Sequence, residues 1–124
     1  MLLDSNIIIY ASRPEHAFLR DFIEQHAPCV SGVSYVETLG YHRLHEQEKH
    51  FLEIFFEAAD VLPLSERVLK QAVRLRQQRS MSLGDALIAG TALAYDLTLV
   101  TRNTDDFAWI EGLTLMNPFE AGTF

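Results

Sequence analysis

Five short apolar runs, each too brief for a helix and separated from the next by residues at helical spacing, restrict this chain more than any other feature. They are Leu2-Leu3-Asp4, Cys29-Val30-Ser31, Asp60-Val61-Leu62-Pro63, Leu97-Thr98-Leu99-Val100-Thr101 and Leu113-Thr114-Leu115-Met116. The fourth is the clearest strand, β-branched and flanked by polar residues. Pro63 marks the third as an edge or a strand terminus. Between these runs, Phe18, Leu19, Phe22 and Ile23 recur at helical spacing over 15–26, with Pro28 as a stop. Val33 to about His45 reads as a helix, and residues 49–59 as a helix apolar around much of its girth. Ser65 caps a helix to about Gln78 with Val68, Leu69, Ala72, Val73 and Leu75 inward, and Ser82 opens an Ala- and Leu-rich helix to about Tyr95. Ile7-Ile8-Ile9-Tyr10 makes a short helical or irregular segment, and a short helix near 103–110 is broken by Gly112. Strands alternating with helices require an α/β fold with a parallel sheet and right-handed crossovers.

The 124 residues suit one domain, 1–124, with one core and one active site. A lone Cys29 forms no intramolecular disulfide and reads as a core residue in a reducing compartment. The N-terminus has no basic segment followed by a long apolar one, and no apolar run reaches membrane-spanning length, so a soluble cytoplasmic protein is expected. The net charge of −7 argues against a broad basic surface for nucleic acid.

Acidic residues fall where strands give way to helices or where helices begin: Asp4, Glu37, Asp85 and Asp106. Ligands of open parallel sheets bind beyond the C-terminal ends of the strands, where such side chains converge. For three of them a structural reading stands beside the functional one. Ser34-Tyr35-Val36-Glu37, Ser82-Leu83-Gly84-Asp85 and Asn103-Thr104-Asp105-Asp106 each place an acid three residues after a capping residue, as helix starts do. Asp4 has no such explanation. An acid at the end of an apolar strand is costly to bury unless it is hydrogen-bonded or faces a cation. Hard oxygens without a Cys or His cluster suit Mg²⁺, with Mn²⁺ as substitute, better than zinc. Ser5 and Thr101 read as hydrogen-bond partners of these acids or of the nearby backbone. The four acids account for −4 of the net charge. Arg13, Arg43, Lys70, Arg74, Arg76, Arg79 and Arg102 are the candidates for phosphate contacts, although Lys70, Arg74, Arg76 and Arg79 also read as the solvated face of one helix. Trp109 reads as core or dimer contact.

The segments around these acids resemble the PIN-domain family. Leu2-Leu3-Asp4-Ser5-Asn6-Ile7-Ile8-Ile9-Tyr10 resembles its opening strand and Ser34-Tyr35-Val36-Glu37-Thr38-Leu39-Gly40 its second acidic motif. Gly84-Asp85-Ala86-Leu87-Ile88-Ala89-Gly90-Thr91-Ala92 resembles the third, and Leu99-Val100-Thr101-Arg102-Asn103-Thr104-Asp105-Asp106-Phe107 the fourth. Order and spacing agree from residue 2 to about Pro118. In the fourth motif Asn103, Asp105 and Asp106 compete for the acidic position; Asp106, which precedes Phe107, is taken. The closest overall resemblance is to VapC toxins of toxin–antitoxin pairs. It implies a three-layer α/β/α fold around a parallel sheet of four to five short strands, and an Mg²⁺-dependent endoribonuclease with Asp4 and Asp85 as principal metal ligands and Glu37 and Asp106 completing the shell. It further implies RNA as substrate, with tRNA a common target class, a homodimer, and a cognate antitoxin laid over the helices around Val36, Leu39, Tyr41, Leu44, Phe51, Leu52, Ile54, Phe55 and Phe56. The alternatives are a non-catalytic interaction module of the same fold, or a phosphotransfer domain using Asp4.

Overall fold

The computed structural model describes residues 1–120; the last four residues of the expected 1–124 domain lie outside them. Five strands form one parallel sheet in the order β3-β2-β1-β4-β5. These are β1 (Leu2–Leu3), β2 (Cys29–Ser31), β3 (Val61–Leu62), β4 (Leu99–Val100) and β5 (Leu115–Met116). The helices are α1 (Ser5–Ala11), α2 (Ala17–His26), α3 (Gly32–Leu39), α4 (Glu46–Ala58), α5 (Glu66–Gln78), α6 (Leu83–Tyr95) and α7 (Thr104–Phe107), with a 3₁₀ turn at Pro14–His16. None of the described helices is long and apolar enough to cross a membrane.

The two-residue period of a strand sorts the core into two halves. On one face Leu3, Val30 and Val100 pack with Ile7, Ile8 and Ala11 of α1, Leu19 and Phe22 of α2, and Leu52 and Phe56 of α4. On the other, Leu2 and Leu99 pack with Leu75 of α5, Ile88, Ala89 and Ala92 of α6, and Phe107 and Ile110. Helices therefore cover both faces, which gives the expected α/β/α layering. Strand order reverses between β1 and β4, so the connections that leave these neighbours diverge and open a crevice at their C-terminal ends.

Several local expectations change. The helix expected over 33–45 stops at Leu39, because Gly40 closes it: a Cβ at Gly40 would run into the Val36 carbonyl oxygen. Residues 41–45 instead lead into α4, which begins at Glu46. On α5 the inward stripe is Val68, Ala72 and Leu75, at steps of four and three, whereas Leu69 and Val73 lie one position round the helix and are 47% and 56% exposed. Cys29, expected in the core, is half-buried, and its thiol donates to the Asp60 carboxylate at 3.7 Å. Pro63 does follow an edge strand.

Helix α6 is built from small residues so that α5 can lie against it at backbone distance. A Cβ at Gly90 would sit 2.9 Å from the Val68 carbonyl oxygen and 3.1 Å from the Ala72 nitrogen, both backbone atoms that no rotamer change can move. Gly90→Ala should therefore force the helices apart and cost about 1–3 kcal/mol from overpacking, against at most ~1 kcal/mol of gained helix propensity. Urea denaturation is expected to show a lowered midpoint; an unchanged or raised one would mean that α5 and α6 do not meet at backbone contact.

Candidate active site

Asp4 immediately follows β1, and its backbone N–H donates to the Val100 carbonyl at 2.9 Å, continuing the ladder to β4 by one residue. Its carboxylate is held at the mouth of the crevice, only 5% exposed. Thr101, the residue after β4, donates its hydroxyl to Asp4 Oδ2 at 2.8 Å and accepts the Asn103 N–H at 3.0 Å. The Asp4–Thr101 bond thus joins the two strands at the point where their order reverses.

Glu37 reaches the same place from α3. The expected capping role does not hold, because Ser31, not Ser34, is the N-cap of α3, accepting from Val33 N. Glu37 lies in the second turn, where its Oε1 accepts from Ser5 Oγ at 2.7 Å, and Ser5 Oγ lies 2.8 Å from Ser34 Oγ. A hydroxyl has one proton to donate. Since Ser5 gives its proton to Glu37, Ser34 must give its own to Ser5, so a directed chain runs from Ser34 through Ser5 to Glu37. Gly84 makes room for this carboxylate at the start of α6, since a Cβ there would overlap Glu37 Oε2.

Asp85, in the first turn of α6, is half-buried, and its backbone N–H donates to Ser82 Oγ at 3.1 Å, so here the capping arrangement and the site position coincide. Asp106 is exposed on α7, where Asn103 is the N-cap without a side-chain cap bond. The Asp106 carbonyl accepts from the Trp109 indole at 3.1 Å, and Arg79 lies over that indole at 5.3 Å. Asp105 is also exposed.

Electrostatics link all four acids. Burial, reinforced by the Asp85 and Glu37 charges, pushes Asp4 up to about 6 in spite of the lowering effect of Thr101 and the Ser5 backbone. Asp85 is raised as well, chiefly by burial, then by Asp106 and Glu37, with Ser82 opposing. Among the described residues no three acidic, histidine or cysteine side chains are gathered closely enough to hold an ion on protein ligands alone. No closed site of three or more of the expected acids is formed; Mg²⁺, which keeps several waters, needs only one or two carboxylates. A buried carboxylate without a basic partner among the described residues, and a donor set made only of hard oxygens, fit the same ion.

The basic candidates divide. Lys70 pairs with Glu66 at 2.9 Å and Arg74 donates to Gln71 at 2.6 Å, which leaves them on the solvated face of α5. Arg13 and Arg102 lie 5.6 and 5.3 Å from the Tyr10 ring on α1, beside the site. Sequence reasoning missed Ser34 and Gly84 as supports of Glu37; a small residue next to a candidate acid was the available signal.

Comparison with known proteins agrees with the fold. A profile of the PIN domain matches residues 1–113. The tRNA(fMet)-specific endonuclease VapC of Shigella flexneri is 29% identical over 122 residues, covering 90% of this chain and 92% of that one. The crystal structure of VapBC2 from Rickettsia felis, bound to a DNA fragment from its promoter, superposes with a TM-score of 0.82 at 26% identity, covering 94% and 96% of the two chains. A toxin–antitoxin complex from Klebsiella pneumoniae gives 0.74 at 28% identity, covering 96% and 98%.

Two outcomes are expected from this geometry. A folded-state Asp4 near 6 lies above the ~3.9 of an unfolded Asp, so the native state binds the proton more tightly. The associated stability is present below about pH 4 and is lost as pH rises through about 6, an effect on the order of 3 kcal/mol for a shift of roughly two pH units. In EDTA, Asp4→Asn should be the more stable protein at pH 8 by roughly 1–3 kcal/mol, with the gap closing towards pH 4. A less stable Asn variant in urea titrations at pH 8 would contradict this. Gly84→Ala should keep the fold, because only the end of the Glu37 side chain must move, and should shift that carboxylate off α6; circular dichroism and a crystal structure of the variant check both halves.

Proposed function

Because the chain belongs to the PIN-domain family, we propose that it is a metal-dependent endoribonuclease of VapC type, the toxin of a toxin–antitoxin pair. The observation that carries this reading is Asp4: a carboxylate buried at the crevice, without a basic partner among the described residues, and repelled by Asp85 and Glu37. Mutual repulsion of this kind is relieved by a divalent cation.

Asp4 and Asp85 would hold Mg²⁺, or Mn²⁺ in its place, with Glu37 and Asp106 completing the shell directly or through water. Bound there, the ion would neutralise charge on an RNA phosphodiester and lower the pKa of water near it. The chain's own residues do the positioning. Thr101 fixes which lone pairs of Asp4 face the crevice, the Ser34-Ser5 chain does so for Glu37, and Ser82 anchors Asp85. Phosphotransfer to Asp4 fares worse, since a phosphoryl group would add negative charge beside two acids that already repel it.

The same reading gives the chain two protein partners, a second copy of itself and an antitoxin. A cleft of about 220 Å³ between α2 and α4, lined by Ile23, Phe51, Ile54 and Phe55, suits an amphipathic segment. Ile54 and Val36 are 54% and 67% exposed, and Leu69 and Val73 on α5 offer a second apolar strip, so surface remains for both.

Purified protein should cleave RNA, including tRNA, with Mg²⁺ or Mn²⁺ and stop with EDTA. Asp4→Asn and Asp85→Asn should reduce cleavage to background, and Thr101→Val, which leaves the acid but frees its orientation, should lower it about 10–100-fold. Undiminished cleavage by Asp4→Asn would sink the assignment. Light scattering at high concentration should show a dimer, and a strict monomer would remove that partner.

A further inference from the structure

Beside the acids, a cleft of about 450 Å³ runs between α1 and the 41–45 segment, within the range of about 300–1,000 Å³ common for small-ligand sites. Asn6, in the first turn of α1 and two residues after Asp4, lines its near end; Tyr10 lies about 6 Å further along the helix axis. Tyr41 and Arg43 face α1 across it, with Arg13 and Glu48 also in the lining.

We propose that this cleft binds a ribonucleotide of the substrate strand one to three positions from the bond that is cut, stacking its base on Tyr41 and holding its phosphates with Arg43 and Arg13. This rests on the ribonuclease reading and adds the subsite that grips the strand.

Charge is the first argument. The chain carries −7 overall, yet among the described residues neither Arg13 nor Arg43 is ion-paired, and Arg102 also lies at the Tyr10 ring, 5.3 Å from its centre. Unpaired guanidiniums lining one cleft of an acidic protein attract a polyanion there. Ring availability is the second. Tyr10 is engaged by Arg13 and Arg102, whereas Tyr41 has the adjacent His42 ring tilted against it at 5.3 Å and is still 49% exposed. An exposed tyrosine beside two arginines offers a base a stacking surface and its phosphates two cations.

Glu48 is the third. A carboxylate in a phosphate-binding cleft opposes any polyanion unless the partner brings donors, and the ribose 2′-hydroxyl is a donor that DNA lacks. Placement fits as well: a stacked strand advances about 3.4 Å per nucleotide, so the span from Asn6 to Tyr10 covers one to two nucleotides.

The test measures binding and cutting separately. In an Asp4→Asn background, which keeps the strand intact, fluorescence anisotropy follows a labelled ten-nucleotide single-stranded RNA and the DNA of the same sequence. Tyr41→Ala is expected to weaken RNA binding roughly 5- to 150-fold, the span of lost base stacking. Arg43→Ala should weaken it and lower the slope of log affinity against log salt by about 1. Glu48→Ala should narrow the preference for RNA over DNA. Arg74→Ala, on the solvated face of α5, is the control and should change neither.

Less than twofold change for both Tyr41→Ala and Arg43→Ala, with circular dichroism showing intact folds, would overturn the proposal. So would normal RNA binding by these variants together with loss of a co-expressed protein partner, which would make the cleft a protein site. If wild type never cut RNA but its binding depended on Tyr41 and Arg43, the cleft would stand and the ribonuclease reading would fall.

Discussion

An acidic side chain held out of water, with no basic side chain beside it among the described residues, organises this molecule. Asp4 sits where β1 ends, next to the strand whose arrival reverses the order of the sheet, and the surrounding hydrogen bonds soften its burial without neutralising it. The charges of Asp85 and Glu37 make matters worse for folding alone. Asp4 is also the N-cap of α1, a position that suits an acid, but its side chain makes no cap bond there and turns to Thr101 at the crevice. Coupling of Asp4 to Asp85 and Glu37 makes sense where an external positive charge offsets it.

Close packing fixes the elements on which the acids sit. Leu2 and Leu3 turn to opposite faces, so the same two-residue strand anchors both layers of helices and leaves Asp4 pinned between them. Gly90 lets α5 lie on α6 at backbone contact, and Gly84 lets Glu37 lie against the start of α6. Two absent side chains thus set the distance between the helix that bears Asp85 and its neighbours on either side.

The fold was legible in the sequence because its signals are local and periodic: five apolar runs, five strands, in the places expected. Asp4 at the end of β1 was legible for the same reason. What sequence could not supply was the choice among equivalent local patterns. Ser31 and Ser34 are both plausible caps, and only packing decides that Ser31 takes that role while Ser34 turns to Ser5. Leu69 and Val73 have the same hydropathy as their buried neighbours; their exposure follows from α6 filling one side of α5 and nothing described covering the other. The helix expected over 33–45 ended early for a reason that one glycine carries, and the consequence was to release Tyr41 and Arg43 into the wall of a cleft.

The bond between Thr101 and Asp4 joins residues 97 positions apart, and the central strand waits equally long for β4. At typical synthesis rates of about 5–20 residues per second, roughly 5–20 s separate the emergence of these two partners from the ribosome. Throughout that interval β1 has only β2 beside it, its other edge is open, and Asp4 has neither its hydroxyl partner nor a crevice to face. The carboxylate at the centre of the crevice therefore takes its final surroundings only after β4 has been made, late in the synthesis of the chain.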